Sequence, residues 1–272
     1  MFETVWMYEV ILFIYGLSLI GYFIDFIQHN QKANRIAFWL LSLVWILQTA
    51  ILIDEILIEK NLPVQTVNDG LFFYAWVLIT FSLIINRLFN IYFIVFFLNL
   101  FSFCILLLYF LTNAQIDTYS NDIPLVHEIL ITHITLTIVS YGFFTLSFIF
   151  ALMYLMQYRF LKNKKGLKWI MRFADLRQLD THSIKTVTLG VPLLLIGIIL
   201  GFVWAFVANA EFYWFDLKTI GSVCVLVVYI IYLFLYVRRG QRGRVIAVYN
   251  FAAFLVLLIN FFLFSILSNF HF

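Results

Sequence analysis

Eight long apolar runs, each ended by a short polar patch, order this 272-residue chain. They lie at about Val5 to Ile27, Ile36 to Leu57, Leu71 to Ile85, Leu88 to Leu111, Leu125 to Tyr158, Thr186 to Ala208, Lys218 to Val237 and Val245 to Ser268. A bilayer core about 30 Å thick is crossed by about 20 helical residues, so each run predicts a transmembrane helix. Only Asn86, Arg87 and a few neighbours separate the third run from the fourth. One helix through both would be about 60 Å long, twice the core thickness, so a tight hairpin is predicted there. The first run has no basic stretch before it and no small-residue cleavage site after it, and is expected to be a retained span.

The polar patches set the orientation. Fifteen of the 17 Lys and Arg fall on one side of this alternation: Lys32, Arg35, Arg87, eight residues from Arg159 to Lys185, and Arg238, Arg239, Arg242 and Arg244. Only Lys60 and Lys218 lie opposite, while most of the 14 acids do. Because cytoplasmic loops are enriched in Lys and Arg, both termini are expected outside, and a missed span would scramble the bias. The expected fold is therefore all-α, a polytopic bundle of about eight transmembrane helices in the cell membrane. It forms a single membrane domain over residues 1–272, with a basic cytoplasmic loop at 162–184. In that loop Leu167, Ile170, Met171 and Ala174 follow a helical stripe. Two readings stand for it: a segment lying on anionic lipid, or a docking surface for a cytosolic protein.

Composition closes off other classes. With 64% hydrophobic, 20% aromatic and 11% charged residues, the chain cannot solvate its own surface and has no room for a soluble domain of usual size. Its net charge of +3 is the sum of the loop biases and gives no argument for nucleic acid. No Walker loop, GxSxG, HExxH or GxGxxG occurs, so the chain is not expected to be an enzyme. A solute transporter finds no support either, since paired broken helices and an internal inverted repeat are not evident. Cys104 and Cys224 are far apart inside apolar runs, which fits small core residues better than a redox pair or zinc site.

Of the five histidines, His29 and His182 fall beside the basic loops, where solvated or headgroup contacts are expected, and His127, His133 and His271 fall opposite. His127 and His133 are six positions apart, about 240° around a helix, so they cannot share one metal. His133 lies about two turns inside the fifth span, where an ionisable group usually faces the bundle interior or a cavity. His271 lies at the outer end of the eighth. Both sit near one leaflet surface, and two neutral imidazoles there could ligate an iron porphyrin from opposite sides. A hydrogen-bonded core histidine and an unengaged terminal one is the other reading.

From Leu179-Asp180 through Leu189-Gly-Val-Pro-Leu-Leu-Leu-Ile-Gly-Ile-Ile-Leu-Gly-Phe-Val-Trp-Ala205, the chain resembles the cytochrome c assembly family of haem-handling membrane proteins, CcsA and its relatives. Thr132-His-Ile-Thr-Leu-Thr-Ile-Val-Ser-Tyr-Gly142 is similar to that family's outer-histidine helix, and Ser268-Asn-Phe-His271 falls where its second outer histidine comes. The likeness is best over a core at 125–272 and fainter at Leu71-Phe-Phe-Tyr-Ala-Trp76. It implies haem b as cofactor, with His133 and His271 as its iron ligands. The loop Glu211-Phe-Tyr-Trp-Phe-Asp-Leu-Lys-Thr219 stands where the family has a Trp-rich loop ending in Trp-Asp-Pro-Lys-Glu, but Leu217 and Thr219 replace Pro and Glu. Trp204, Tyr213, Trp214 and Phe215 are then candidate haem contacts, or an aromatic belt at headgroup level. Asp216 either orients a ligand or caps the seventh helix. Gln48 and Phe234 stand where the family's two membrane-embedded histidines are looked for, which puts a haem route across the bilayer in doubt. That pattern is similar to the branch associated with haem biosynthesis, and implies a protein that lowers glutamyl-tRNA reductase abundance through a contact at the cytoplasmic face. The alternative is a haem-delivery subunit for cytochrome c biogenesis.

Overall fold

A chain segment in lipid has no water to satisfy its peptide groups, so apolar runs of this length close their hydrogen bonds internally as helices. The computed structural model describes residues 2–28, 30–59, 67–88, 92–113, 124–163, 175–207 and 217–263, with no strand among them. The helices are α1 (Phe2–Gln28), α2 (Gln31–Glu59), α3 (Val67–Leu88), α4 (Tyr92–Asn113), α5 (Pro124–Asn163), α6 (Leu176–Val207), α7 (Leu217–Val237) and α8 (Arg244–Leu258). A π-helical turn, Ile259–Leu263, continues α8. All eight regions are long and apolar enough to cross a membrane, as the hydropathy pattern predicts, and the third and fourth runs are separate helices.

The ends differ from the apolar runs in a regular way. α6 starts ten residues before Thr186, because the polar stretch from Leu176 to Lys185 is amphipathic: Leu179, Ser183 and Val187 recur every four residues and are buried. A scan for apolar residues passes over such a segment. The eighth run leaves α-helical geometry at Ile259. Cys104 and Cys224 are exposed on their helices rather than in the core, which corrects the expectation for both.

The helices pack as two compact units, Met1–Ser120 and Asn121–Phe272. In the first, α1 and α2 cross where the Ser18 hydroxyl donates to the Ala37 carbonyl at 2.9 Å. A Cβ on Gly21 would lie 2.9 Å from that of Ala37, so this crossing needs glycine. Asn30 caps α2, its Oδ1 accepting from the amides of Lys32 and Ala33 at 3.0 and 3.3 Å. Between α2 and α3 the same short pattern, Trp-x-x-x-Thr, occurs on both helices. Trp45 Nε1 donates to Thr80 Oγ1 and Trp76 Nε1 donates to Thr49 Oγ1, both at 2.9 Å. The two indoles stack with centroids 6.2 Å apart. Asn99 of α4 donates to Ser82 of α3 at 2.7 Å and accepts from Tyr15 of α1 at 3.3 Å.

In the second unit, one fully buried amide ties the helices together. Asn250 of α8 donates to Ser147 of α5 at 2.7 Å and to Ser183 of α6 at 2.9 Å, and Ser183 is 3.2 Å from the Tyr232 hydroxyl of α7. Interhelical hydrogen bonds in bilayers are worth about 0.6 to 2 kcal/mol each, so such a cluster fixes register more than it adds stability. Above it Phe144 stacks on Tyr229 at 3.8 Å, and a Cβ on Gly190 would strike the Phe144 ring at 2.7 Å. The turn from α7 to α8 uses Gly240 and Gly243 at positive φ. There Arg242 lies over the Tyr236 ring, hydrogen-bonds its hydroxyl, and stands 3.9 Å from Asp180.

Candidate functional site

His133 is nine residues into α5 and half-buried against α6. Its Nδ1 is 2.6 Å from the carbonyl oxygen of Gly197. A carbonyl oxygen only accepts, so Nδ1 carries the proton and donates it, and the lone pair of the neutral ring is left on Nε2. Metal-binding histidines are set up in this way, with the non-ligating nitrogen donating to a carbonyl or carboxylate that fixes tautomer and ring orientation.

The ring fits because α6 has no side chain where it lies. A Cβ on Gly201 would come within 2.8 Å of His133 Cε1, 2.9 Å of Nδ1 and 3.3 Å of Nε2. One turn earlier, a Cβ on Gly197 would be 2.7 Å from the Thr137 hydroxyl, which itself donates to the His133 carbonyl at 2.8 Å. Gly197-Ile-Ile-Leu-Gly201 is thus a small-x-x-x-small slot of the kind that lets membrane helices approach closely. In the sequence these glycines stand out only as part of the family likeness. Their spacing was the available sign that a ring from another helix is seated there.

Around the slot stand further polar groups. Lys218 is the second residue of α7. Two turns along α5, the Tyr141 hydroxyl accepts from Asn260 Nδ2 at 2.9 Å, and that amide also lies 3.4 Å from the Ser222 hydroxyl. Asn260 belongs to the π turn and is buried there. Trp204, three residues past Gly201, is half-buried with its indole nitrogen inside the protein. Of the sequence-predicted site residues, His133 and Trp204 are described, while Tyr213, Trp214, Phe215, Asp216 and His271 lie outside the described residues. The backbone of His127 is helical, and its side chain lies outside the description. His182 stacks on Phe150 with centroids 5.4 Å apart and stays partly exposed.

Among the described residues no group of three or more His, Cys, Asp or Glu could enclose a metal ion. A lone oriented imidazole suits a metal that arrives with most of its coordination filled, as iron does in a porphyrin. Gln48 and Phe234 also have different surroundings. Gln48 is fully buried in the first unit, and neither atom of its amide has a hydrogen-bond partner among the described residues. Phe234 is half-exposed on α7, where a spanning helix meets lipid.

Among the described residues eight helices long and apolar enough to cross a membrane define a multi-pass membrane protein, and near one end of its second unit one imidazole is held by a backbone carbonyl in a glycine slot. The chain belongs to the cytochrome C assembly protein family, whose model matches residues 64–271. It is similar to protein HemX of Bacillus subtilis (strain 168), 45% identical over 258 residues that make up 95% of this chain and 94% of that one. Protein HemX of Brevibacillus brevis is 40% identical over 272 residues, 100% of this chain and 99% of the relative. The cytochrome c biogenesis protein CcsA of Chlamydomonas reinhardtii is 31% identical over 128 residues, 47% of this chain and 35% of the relative. No solved structure matches the chain. The family match begins at residue 64, so it takes in α3 and α4 as well as the core at 125–272 where the likeness was read.

Proposed function

We propose that the protein binds one haem b near the outer face, where His133 and His271 would be the residues that hold its iron, and that it regulates haem biosynthesis by lowering glutamyl-tRNA reductase abundance. The observation that carries the haem reading is the Nδ1 hydrogen bond to Gly197, which leaves Nε2 as the ring's only lone-pair nitrogen. Trp204 and the loop residues Tyr213, Trp214 and Phe215 supply flat apolar faces for the porphyrin. Asp216 orients a ligand or caps α7. Bound haem would supply an iron centre and a large rigid group that adds contacts between helices. The chain's own residues would hold the imidazole tautomer and exclude water with aromatic faces.

With the basic patches inside, the basic end of α5 faces the cytoplasm and His133 the outside. α5 is then the element that joins the haem to a cytosolic partner across about 30 Å, the thickness of the bilayer core. Coupling requires two arrangements of that helix, haem binding better to one of them. The test is the optical spectrum of the purified protein. A six-coordinate, low-spin haem b is expected, becoming five-coordinate or lost in His133→Ala and in His271→Ala and unchanged in His127→Ala. Parent-like spectra from both single variants at 133 and 271 refute the ligand assignment.

The second reading, haem delivery for cytochrome c biogenesis, draws on the partial likeness to CcsA proteins. Gln48 and Phe234 favour regulation, since a route through the membrane would want ligands there. Loss of the gene separates the two: regulation predicts raised reductase with normal c-type cytochromes, and delivery predicts the reverse.

A further inference from the structure

The basic end of the first unit holds a cleft of about 300 Å³ that the haem reading does not use. It opens where α1 ends, α2 begins and α3 ends, and Asp25, Gln31, Asn34, Arg35, Asn86 and Arg87 line it. The carboxylate in its wall is held by an amide: Asp25 Oδ2 accepts from Asn34 Nδ2 at 2.8 Å and is nearly fully buried. Asn86 Nδ2 is likewise engaged, donating to the Tyr22 hydroxyl at 3.0 Å. Neither Arg35 nor Arg87 forms an ion pair among the described residues, and both are exposed. Two guanidinium groups from different helices therefore line one small cleft beside the Phe38 ring, and with Asp25 as the one acid of its lining the cleft keeps a net positive charge.

A guanidinium presents its N–H groups as a planar fork that matches the oxygens of a phosphate two at a time. Two such forks stand on one cleft near the ends of helices long enough to span a bilayer, and basic pockets between helix ends are a recurrent form of headgroup recognition. We propose that this cleft binds a phosphate group, presented by an anionic phospholipid or by a soluble phosphate from the aqueous side. Asn34 fixes the Asp25 carboxylate in the wall, the two arginines outnumber that one acid, and Gln31 supplies an uncharged amide.

The full chain is reconstituted in nanodiscs of phosphatidylcholine alone and of phosphatidylcholine with phosphatidylglycerol, and lipid retained on release is measured by native mass spectrometry. Inorganic phosphate is titrated separately into the phosphatidylcholine discs. A lipid source predicts retained phosphatidylglycerol with no phosphate binding; a soluble source predicts saturable phosphate binding with no preference between lipids. In either case Arg35→Gln/Arg87→Gln should weaken the interaction by roughly tenfold to thirtyfold, taking each basic residue at its usual contribution beside an anionic surface. The matching change Arg238→Gln/Arg239→Gln, at exposed positions of the second unit, should leave it unaltered. Equal losses from both pairs mean general charge attraction and overturn the site, as does parent protein that retains neither ligand. If the Gln pair fails to enter discs, Arg35→Lys/Arg87→Lys is read instead, since it keeps the charges and removes the forks, and unchanged binding there overturns the proposal.

Discussion

Replacing Gly201 by alanine adds one methyl group at the place where His133 lies. The new Cβ would sit 2.8 to 3.3 Å from three atoms of the imidazole, all nearer than ordinary van der Waals contact. The ring is rigid and held at 2.6 Å by the Gly197 carbonyl, so it must move as a body. Overpacking of this kind costs about 1 to 3 kcal/mol. An interhelical hydrogen bond in a membrane adds about 0.6 to 2 kcal/mol if it breaks. Set against these is the gain of up to about 1 kcal/mol from replacing glycine inside a helix. Gly16→Ala measures that gain alone, because nothing lies within 4 Å of the Cβ it would add. Gly16→Ala should therefore be neutral or stabilising, and Gly201→Ala destabilising by about 1 to 5 kcal/mol relative to it, the upper part of that range if the hydrogen bond breaks. Disturbing the group that orients a metal ligand typically costs 10- to 100-fold in metal affinity, so haem affinity should fall by about that factor. Thermal unfolding in detergent and haem titration of the stripped protein give the two magnitudes, and ¹⁵N shifts of the imidazole give the tautomer. A Gly201→Ala protein with parental stability, haem affinity and Nδ1–H tautomer would refute the account of the slot.

Cysteines introduced at Lys164 and Arg242 should label from the cytoplasm, and those at Asp122 and Trp214 from outside; labelling of position 164 from outside overturns the orientation. Charge reversal at Lys164, Lys168 and Arg172, with Trp169→Ala, should abolish the effect on reductase abundance and leave the haem spectrum intact, whereas His133→Ala should remove both. If reductase is still lowered normally by the loop variant, the contact lies elsewhere. Thr49→Val and Thr80→Val should each destabilise the first unit by about 0.6 to 2 kcal/mol, and a double-mutant cycle of Trp45 with Thr80 should give coupling of that order in a denaturation titration. Zero coupling would mean that the bond is not formed in the bilayer.

Hydropathy carries the helices so well because each span must supply its own lipid-facing surface, as Trp39, Leu57, Phe206 and Val237 do. Features that depend on polar groups meeting between helices are weaker in the sequence. The first ten residues of α6 went unmarked because Arg177, Asp180 and Lys185 interrupt the apolar run while Leu179 and Ser183 still face inward. The π turn at Ile259–Leu263 is a change of hydrogen-bond register, which residue type barely encodes. His133 was legible as an ionisable group inside a span, and the likeness marked it as a ligand. Its partner Gly197 was not legible as one, since any residue offers a carbonyl and only the absent side chain at Gly201 lets the ring reach it.

The Trp-x-x-x-Thr pairing of α2 and α3 is a palindrome. Turned end over end, antiparallel helices with the same word on each present the same two indole-to-hydroxyl bonds, so this bracket is equally satisfied with either end of the hairpin in the cytoplasm. Packing of this kind stores no information about direction. Direction has to be written elsewhere, in the charges at the helix ends, and the two kinds of instruction can then be edited separately. Arg35 and Arg87 could be altered to change how the hairpin is inserted without touching what holds it together, and the bracket could be altered to loosen it without changing which way it points.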